Sequence, residues 1–276
     1  MYFEKIYIGI NYKTPEKVIR WMNSIIRNDF NQLIIIVDNS GSENIGLPKK
    51  IRQIGYKNAI YLDTGKNLGY FNGAEYAYKY IKSFKFTFAW MIVSNVDVEL
   101  NSMLSSEILR KYENDSNIGV LAPAIISVDT GLDKNPYRIY RAVKRNLIIK
   151  KFVFSNILLA SIYGILSKIR NLILNISRQR QVLVKEGDAI YLPYGACLIF
   201  SNKYFKSECK IDYPLFLFGE ELYVAEQCRE KNLKIIYSPG IKFLNYEHAS
   251  TAQLSNKFVV ECNYRSMSFI LKTFYQ

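Results

Sequence analysis

The stretch LIIIVDNSGS, residues 33–42, runs five apolar residues together before its first carboxylate. A strand sends successive side chains to opposite faces, so such a run is apolar on both faces and needs cover on both. The chain repeats the device in IYIGINY (residues 6–12), FTFAWMIVSNVDVEL (86–100) and IGVLAP (118–123). Helical patterns intervene. Thr14 and Pro15 supply an N-cap and a first-turn proline, and Val18, Met22, Ile25 and Ile26 follow at helical spacing. AIYLDTGKNLGYFNGAEYAYKYI (59–81) is a short strand, a glycine-containing loop and a helix, and another helix is expected near Ser102 to Tyr112. Apolar strands separated by helices predict a mostly parallel sheet covered on both faces. Ligands of such sheets sit at the carboxyl ends of the strands, where Asp38, Asn95 and Asp97 all fall.

With 276 residues, 49% of them hydrophobic, the chain suits one large α/β domain or one domain with an insertion. Cys197, Cys209, Cys228 and Cys262 have no CxxC spacing, so they suggest neither zinc nor a disulfide framework and fit a reducing compartment. Glu4 and Lys5 interrupt the apolar run that a secretory leader would need, so MYFEKIYIGI is expected to be a first strand. There is no P-loop, GxGxxG or HExxH. The net charge of +13 is uneven: eleven Lys and Arg lie from Arg138 to Lys185, with no Asp or Glu among them. That segment divides the chain into 1–137, a basic helical insertion at 138–185, and 186–276. After it the pattern turns α+β-like. AIYLPYGACLIFS is expected to be a strand with Gly195 at a bulge or close approach, KIIYSPG a strand and turn, and the last helix to start at about Ser255.

Glu220 and Glu221 stand side by side in FLFGEELYVAEQCREKN, ahead of an amphipathic helix. Neighbours on a helix point about 100° apart, so the two cannot share a task by facing one way. Acids also suit a helix N-terminus for electrostatic reasons alone. VDNSGS, NLGYFNG, SNVDVEL, YGACLIF, FGEELYVAEQCREKNLKI and EHAST, in that order, resemble the family 2 glycosyltransferases of GT-A fold. The closest flavour is the bacterial rhamnosyltransferase-like enzymes of surface polysaccharide biosynthesis, such as lipopolysaccharide or capsule. The resemblance covers residues 1–137 and about 186–270.

It implies a Rossmann-like nucleotide-diphospho-sugar transferase fold, α/β with a helical insertion, and inverting transfer from a UDP- or dTDP-sugar. Asp38 would then bind the nucleobase, and Asn67 and Gly69 would form the loop against the nucleotide. Asn95-Val96-Asp97 takes the place of the family's DxD motif. Asp97 would ligate Mg²⁺ or Mn²⁺, Asn95 would contact the donor, and His248, the sole histidine, would complete the metal or diphosphate site. Gly195 and Ala196 would border the donor sugar, where a missing side chain permits close approach. Glu221 would be the catalytic base, and Glu220 would hold the acceptor or the helix start. The family more often carries Asp as the second acid, one methylene shorter than Glu221.

Phe152 to Ser167 are sixteen uncharged residues flanked by Lys150, Lys151 and Lys168, fewer than the roughly 18–20 that span a bilayer. Ile162, Ile165, Ile169, Leu172 and Ile176 form an apolar stripe, and Ser161, Gly164, Lys168, Asn171 and Asn175 a polar one. Such a helix is expected on an anionic membrane surface, on the cytoplasmic face where a lipid-linked glycan acceptor would lie, or as an inserted lid. Nucleic acid is not expected, because no binding motif accompanies the charge. Two other classes remain open: a sugar-phosphate nucleotidyltransferase, whose glycine-rich basic loop IYIGINYKTPEKV lacks, and a membrane-docked pseudoenzyme.

Overall fold

The computed structural model describes residues 1–29, 32–41, 46–104, 106–174, 184–246 and 256–276. The first half contains β1 (Tyr2–Asn11), α1 (Pro15–Asn28), β2 (Leu33–Asp38), α2 (Leu47–Gln53), β3 (Ala59–Asp63), α3 (Tyr70–Ser83), β4 (Thr87–Asn95), β5 (Val98–Leu100), α4 (Ser106–Glu113) and β6 (Ile118–Ser127). The insertion folds as α5 (Lys144–Val153) and α6 (Ile157–Leu174). Then come β7 (Ala189–Ile190), β8 (Cys197–Ser201), α7 (Asn202–Lys206), α8 (Glu220–Glu230), β9 (Lys234–Asn245) and α9 (Asn256–Phe274).

All these strands share one sheet, ordered β3-β2-β1-β4-β8-β6-β9-β5, with β7 pairing another stretch of β9. From β3 to β4 every pairing is parallel. Beyond β4 the sheet is mixed, because β8 runs antiparallel to both β4 and β6 while β6 and β9 are parallel. The change from alternating β and α to an α+β pattern along the sequence is this change of sheet type.

The apolar strands divide their side chains between two cores. Ile6, Ile8 and Ile10 of β1 meet Phe71, Ala74, Ala77 and Ile81 of α3 on one face. Tyr7, Ile34 and Ile36 meet Trp21, Met22 and Ile25 of α1 on the other. With both faces apolar, a one-residue slip would not expose anything polar, so shape must fix the register. Gly9 does this: a Cβ there would lie 2.6 Å from the Trp21 ring. The Trp21 indole N–H, seated over that gap, donates to Ser94 Oγ at 3.0 Å. Lys5 is buried in β1 with its ammonium 2.9 Å from Asp29, which also accepts the Tyr7 hydroxyl at 2.6 Å. A buried cation so paired explains why this strand tolerates a charge.

Three local expectations are corrected. Residues 189–201 are two strands rather than one bulged strand, because Pro193 cannot donate to a ladder and the Tyr194 N–H goes instead to Asn135 Oδ1 at 2.7 Å. The SPG sequence does not end its strand: β9 continues through it, absorbing it as a register shift opposite Pro123 and Ala124. α4 runs Ser106–Glu113, starting later than the expected Ser102.

The insertion is tied to the main body. Arg141 grips Glu226 of α8 through two hydrogen bonds, at 2.8 and 2.9 Å, and donates to the Phe274 carbonyl at 3.0 Å. Its guanidinium also stacks over Tyr275, 4.1 Å from the ring centre. α5 and α6 both pack against α9. Leu147 of α5 is buried in the main core.

Candidate active site

The carboxyl ends of β1, β2 and β4 and the turn before α8 converge on a cavity of about 460 Å³. Asn67, Gly69, Asn95, Gly195, Ala196, Glu220 and Glu221 all line it. Asp38 and Asp97 do not. The Asp38 carboxylate is fully buried one residue behind Asn39, which does face the cavity. It accepts Asn11 Nδ2 and the Ser40 N–H at 3.0 Å each, and the Tyr61 hydroxyl at 2.8 Å. It thereby clamps the ends of β1, β2 and β3 together. Thr14, the expected cap, joins this network by donating to Asn11 Oδ1 at 2.8 Å instead of capping α1. Burial and the neighbouring Asp38 push the Tyr61 hydroxyl well up, so it stays a donor.

Gly69 carries the turn into α3 at φ +85°, and a Cβ there would sit 2.1 Å from the Phe216 carbonyl oxygen. Only glycine meets both demands. Asn67 Oδ1 accepts the Gly69 N–H at 3.0 Å, and Asn39 Nδ2 donates to the Gly69 carbonyl at 2.9 Å. The loop before α3 is thus held from both flanks.

Glu220 and Glu221 open α8 after two left-handed residues, Phe218 at φ +68° and Gly219 at φ +88°. Phe218 is strained in this region, and the Tyr213 hydroxyl restrains it by donating to its carbonyl at 2.7 Å. A Cβ on Gly219 would fall 2.0 Å from Ser266 Oγ of α9, so this turn also requires glycine. Burial, then repulsion from Glu221, pushes Glu220 up to about 8, although the Phe218 N–H donates to it at 3.1 Å. Burial raises Glu221 as well, opposed by its own N–H and that of Gly195. A pair of this kind titrates as a unit.

Gly195 has a different neighbour from the one its motif suggests. A Cβ on it would lie 2.2 Å from Glu221 Oε1, so the missing side chain makes room for the carboxylate. The Gly195 backbone then donates to that carboxylate. Cys197, next but one, is buried with its thiol pushed well up, which disqualifies it as a nucleophile. All four cysteines are free and buried.

Asp97 occupies the turn between β4 and β5, 3.9 Å from Lys17 Nζ. Its carbonyl accepts the Tyr246 N–H at 3.0 Å. β9 therefore delivers the chain to Asp97 two residues before His248, which itself lies outside the described residues. Among the described residues no three His, Cys, Asp or Glu side chains form a metal cluster. Asp97 and Asn95 supply hard oxygen atoms, the chemistry that Mg²⁺ and Mn²⁺ prefer, but they are not a complete set on their own.

Several lining residues escaped the sequence reading. Tyr12 and Asn39 directly follow β1 and β2, so the strand-end rule could have named them. Tyr70, whose hydroxyl donates to the Val93 carbonyl at 3.1 Å, sits inside the NLGYFNG motif. Arg138 and Lys150 come from the insertion, and Asn263 and Met267 from α9. No sequence signal placed those four at the site.

No protein-family model matches the chain, and no curated protein matches it by sequence. Solved structures do match it by shape. GalNAc-T7, crystallised with UDP, GalNAc and Mn²⁺, superposes with a TM-score of 0.68 at 11% identity, over 99% of this chain and 49% of that one. The mannosyltransferase PcManGT from Pyrobaculum calidifontis, in complex with GDP-Man and Mn²⁺, gives 0.52 at 8% identity, over 99% and 75%. The chain has the GT-A fold. It spans about half the length of GalNAc-T7, and at such identities the likeness concerns architecture alone.

Proposed function

We propose that the protein is an inverting glycosyltransferase that moves a sugar from a nucleotide-diphospho-sugar to a hydroxyl of a lipid-linked glycan. The observation that carries this reading is the Glu220–Glu221 pair, raised in proton affinity and aimed into the cavity at the strand ends of a GT-A sheet. Inverting transfer needs one base at the acceptor hydroxyl and no covalent step. Glu221 is the base, with the backbone N–H groups of Gly195 and its own residue opposing the rise that burial causes. Such a group contributes roughly 10²–10⁴-fold when within hydrogen-bond reach. Glu220 steadies the strained turn by accepting the Phe218 N–H.

The nucleoside side is formed by Asn39, Asn67 and Gly69, with Asp38 behind them bracing the strand ends. Asn95 and the Gly195–Ala196 backbone border the sugar. Asp97, with His248 on the segment beyond Tyr246, would hold a divalent cation together with the donor's own phosphates. Such a cation offsets charge building on the leaving diphosphate. Both similar structures named above were solved with Mn²⁺ and a nucleotide or nucleotide sugar, which supports this donor class. Surface polysaccharide synthesis of the rhamnosyltransferase-like kind is the setting that the sequence motifs favour.

The test is a panel of UDP-, dTDP- and GDP-sugars followed by thermal shift and by slow donor hydrolysis. One donor should stabilise the protein more with Mg²⁺ or Mn²⁺ than without, and Asp97→Ala should abolish both that increment and hydrolysis. Full activity in excess chelator would reject the metal role. Donor binding without hydrolysis or transfer by the native chain would leave a pseudoenzyme.

A further inference from the structure

A surface helix normally buries an apolar stripe and turns a polar face to water. α5 and α6 do not. On α5 the exposed positions Arg145, Ile148, Ile149 and Phe152 recur at i, i+3, i+4 and i+7, and three of them are apolar. On α6 the exposed stripe is Leu158, Ile162, Ile165 and Leu166. Phe152, Leu158 and Ile165 are 67%, 70% and 61% exposed. This surface is not the core face of either helix. Leu147 and Ala160 are buried on the inward sides, where both helices pack against α9. Ile162 and Ile165 of the stripe expected from sequence are thus turned outward; its members Ile169, Leu172 and Ile176 lie outside the described side chains.

We propose that this two-helix face docks on an anionic lipid bilayer, with the α5 backbone as the wall between the lipid and the Glu221 cavity. The occupant follows from charge. Residues 138–185 contain eleven Lys and Arg and no Asp or Glu, and Arg141 among them pairs with the buried Glu226. Lys144 and Arg145 are exposed at the start of α5. Apolar side chains for the acyl region, flanked by cations for the phosphates, are what a bilayer surface selects. A single apolar groove for a protein segment would need neither the two exposed apolar stripes nor the excess charge. No helix among the described residues is long and apolar enough to cross a membrane, so the face lies on the surface.

α5 connects this face to the site. Its inward residues Leu147 and Lys150 line the Glu221 cavity. A second cavity of about 1060 Å³ runs from Ile149, Phe154 and Tyr163 to Arg138, Lys150 and Tyr194, which belong to both cavities. A lipid-linked acceptor would enter along this route. That clause rests on the transferase reading; the docking itself does not.

Flotation separates the two. The full chain should float with vesicles containing phosphatidylglycerol, partly survive raised salt, and stay behind with pure phosphatidylcholine vesicles. The double variant Ile162→Glu, Ile165→Glu should lose vesicle affinity at least about tenfold, because two carboxylates replace inserted apolar groups. Its melting temperature and its donor hydrolysis in vesicle-free buffer should be unchanged. Absence of flotation by the native chain, or undiminished flotation by the variant, overturns the proposal. So does a concentration-dependent dimer that the same double substitution abolishes, which would make a second copy the occupant. Asp97→Ala should still float, so a failure of the transferase reading would not be mistaken for a failure of docking.

Discussion

Helix α8 holds carboxylates at its first turn and near its middle, and the two places treat them in opposite ways. Glu220 is buried beside Glu221 with the Phe218 N–H as its neighbouring donor, and its proton affinity rises. Glu226 is wholly buried too, yet it ends below its ordinary value. Burial pushes Glu226 up, and hydrogen bonds from Arg141, Tyr191 and Arg229 outweigh that push. Burial is therefore not what distinguishes an anchor from a reactive group on this helix. The number of donors and cations supplied by neighbouring elements is. One end is satisfied and immobile; the other is left short of partners, facing a cavity.

Glu221→Gln should break the reactive end most severely. It keeps the shape and removes the proton acceptor, so turnover should fall about 10²–10⁴-fold while donor binding by calorimetry persists. If Glu220→Gln is the crippled variant and Glu221→Gln is not, the two roles are exchanged.

Arg141→Ala attacks the anchored end. Arg229 still offers one hydrogen bond to Glu226 at 2.8 Å, so the loss should be about 2–3 kcal/mol in urea unfolding, less than for an orphaned buried charge. The sign with pH follows from the lowered value. Glu226 contributes stability that is present above its unfolded value of 4.5 and lost as pH falls through the lower folded value. The gap between native and variant should accordingly narrow in acid.

Gly195→Ala tests whether the empty position serves the carboxylate. Its Cβ would displace Glu221 Oε1, and a misplaced base should cost roughly tenfold to a hundredfold in turnover with little change in donor affinity. The mildest change is Glu220→Gln. The acidic limb of the pH–turnover profile, set by Glu221, should stay where it is, because the repulsion raises Glu220 and not Glu221. Because Glu220 is raised, its contribution to stability is present below 4.5 and lost as pH rises through about 8. The stability of the variant relative to the native chain should consequently rise as pH increases toward about 8, read by urea unfolding.

Much of this was legible along the chain, for a local reason. Two-faced apolar strands, proline and glycine at helix starts, and polar residues at strand ends are each written within a few consecutive residues. They sufficed for a sheet covered on both sides and for Asn95, Glu220 and Glu221 beside one another. The clustering of basic residues from Arg138 to Lys185 was equally plain. What lay beyond the sequence depended on contacts between distant segments. The antiparallel insertion of β8 between β4 and β6 is a choice of pairing, and no residue of β8 announces it. The same holds for Arg141, one more surface cation by composition, which becomes the partner of a buried residue 85 positions away. The Asp38 carboxylate, expected at a strand end, also accepts Asn11 and Tyr61 from the adjoining strands. Gly195, which lines the cavity, also leaves room for Glu221. Sequence determines which groups can do chemistry, since residue type and spacing are local. The donors each group is given, and hence its proton affinity and its task, are decided only when the other strands and helices close around it.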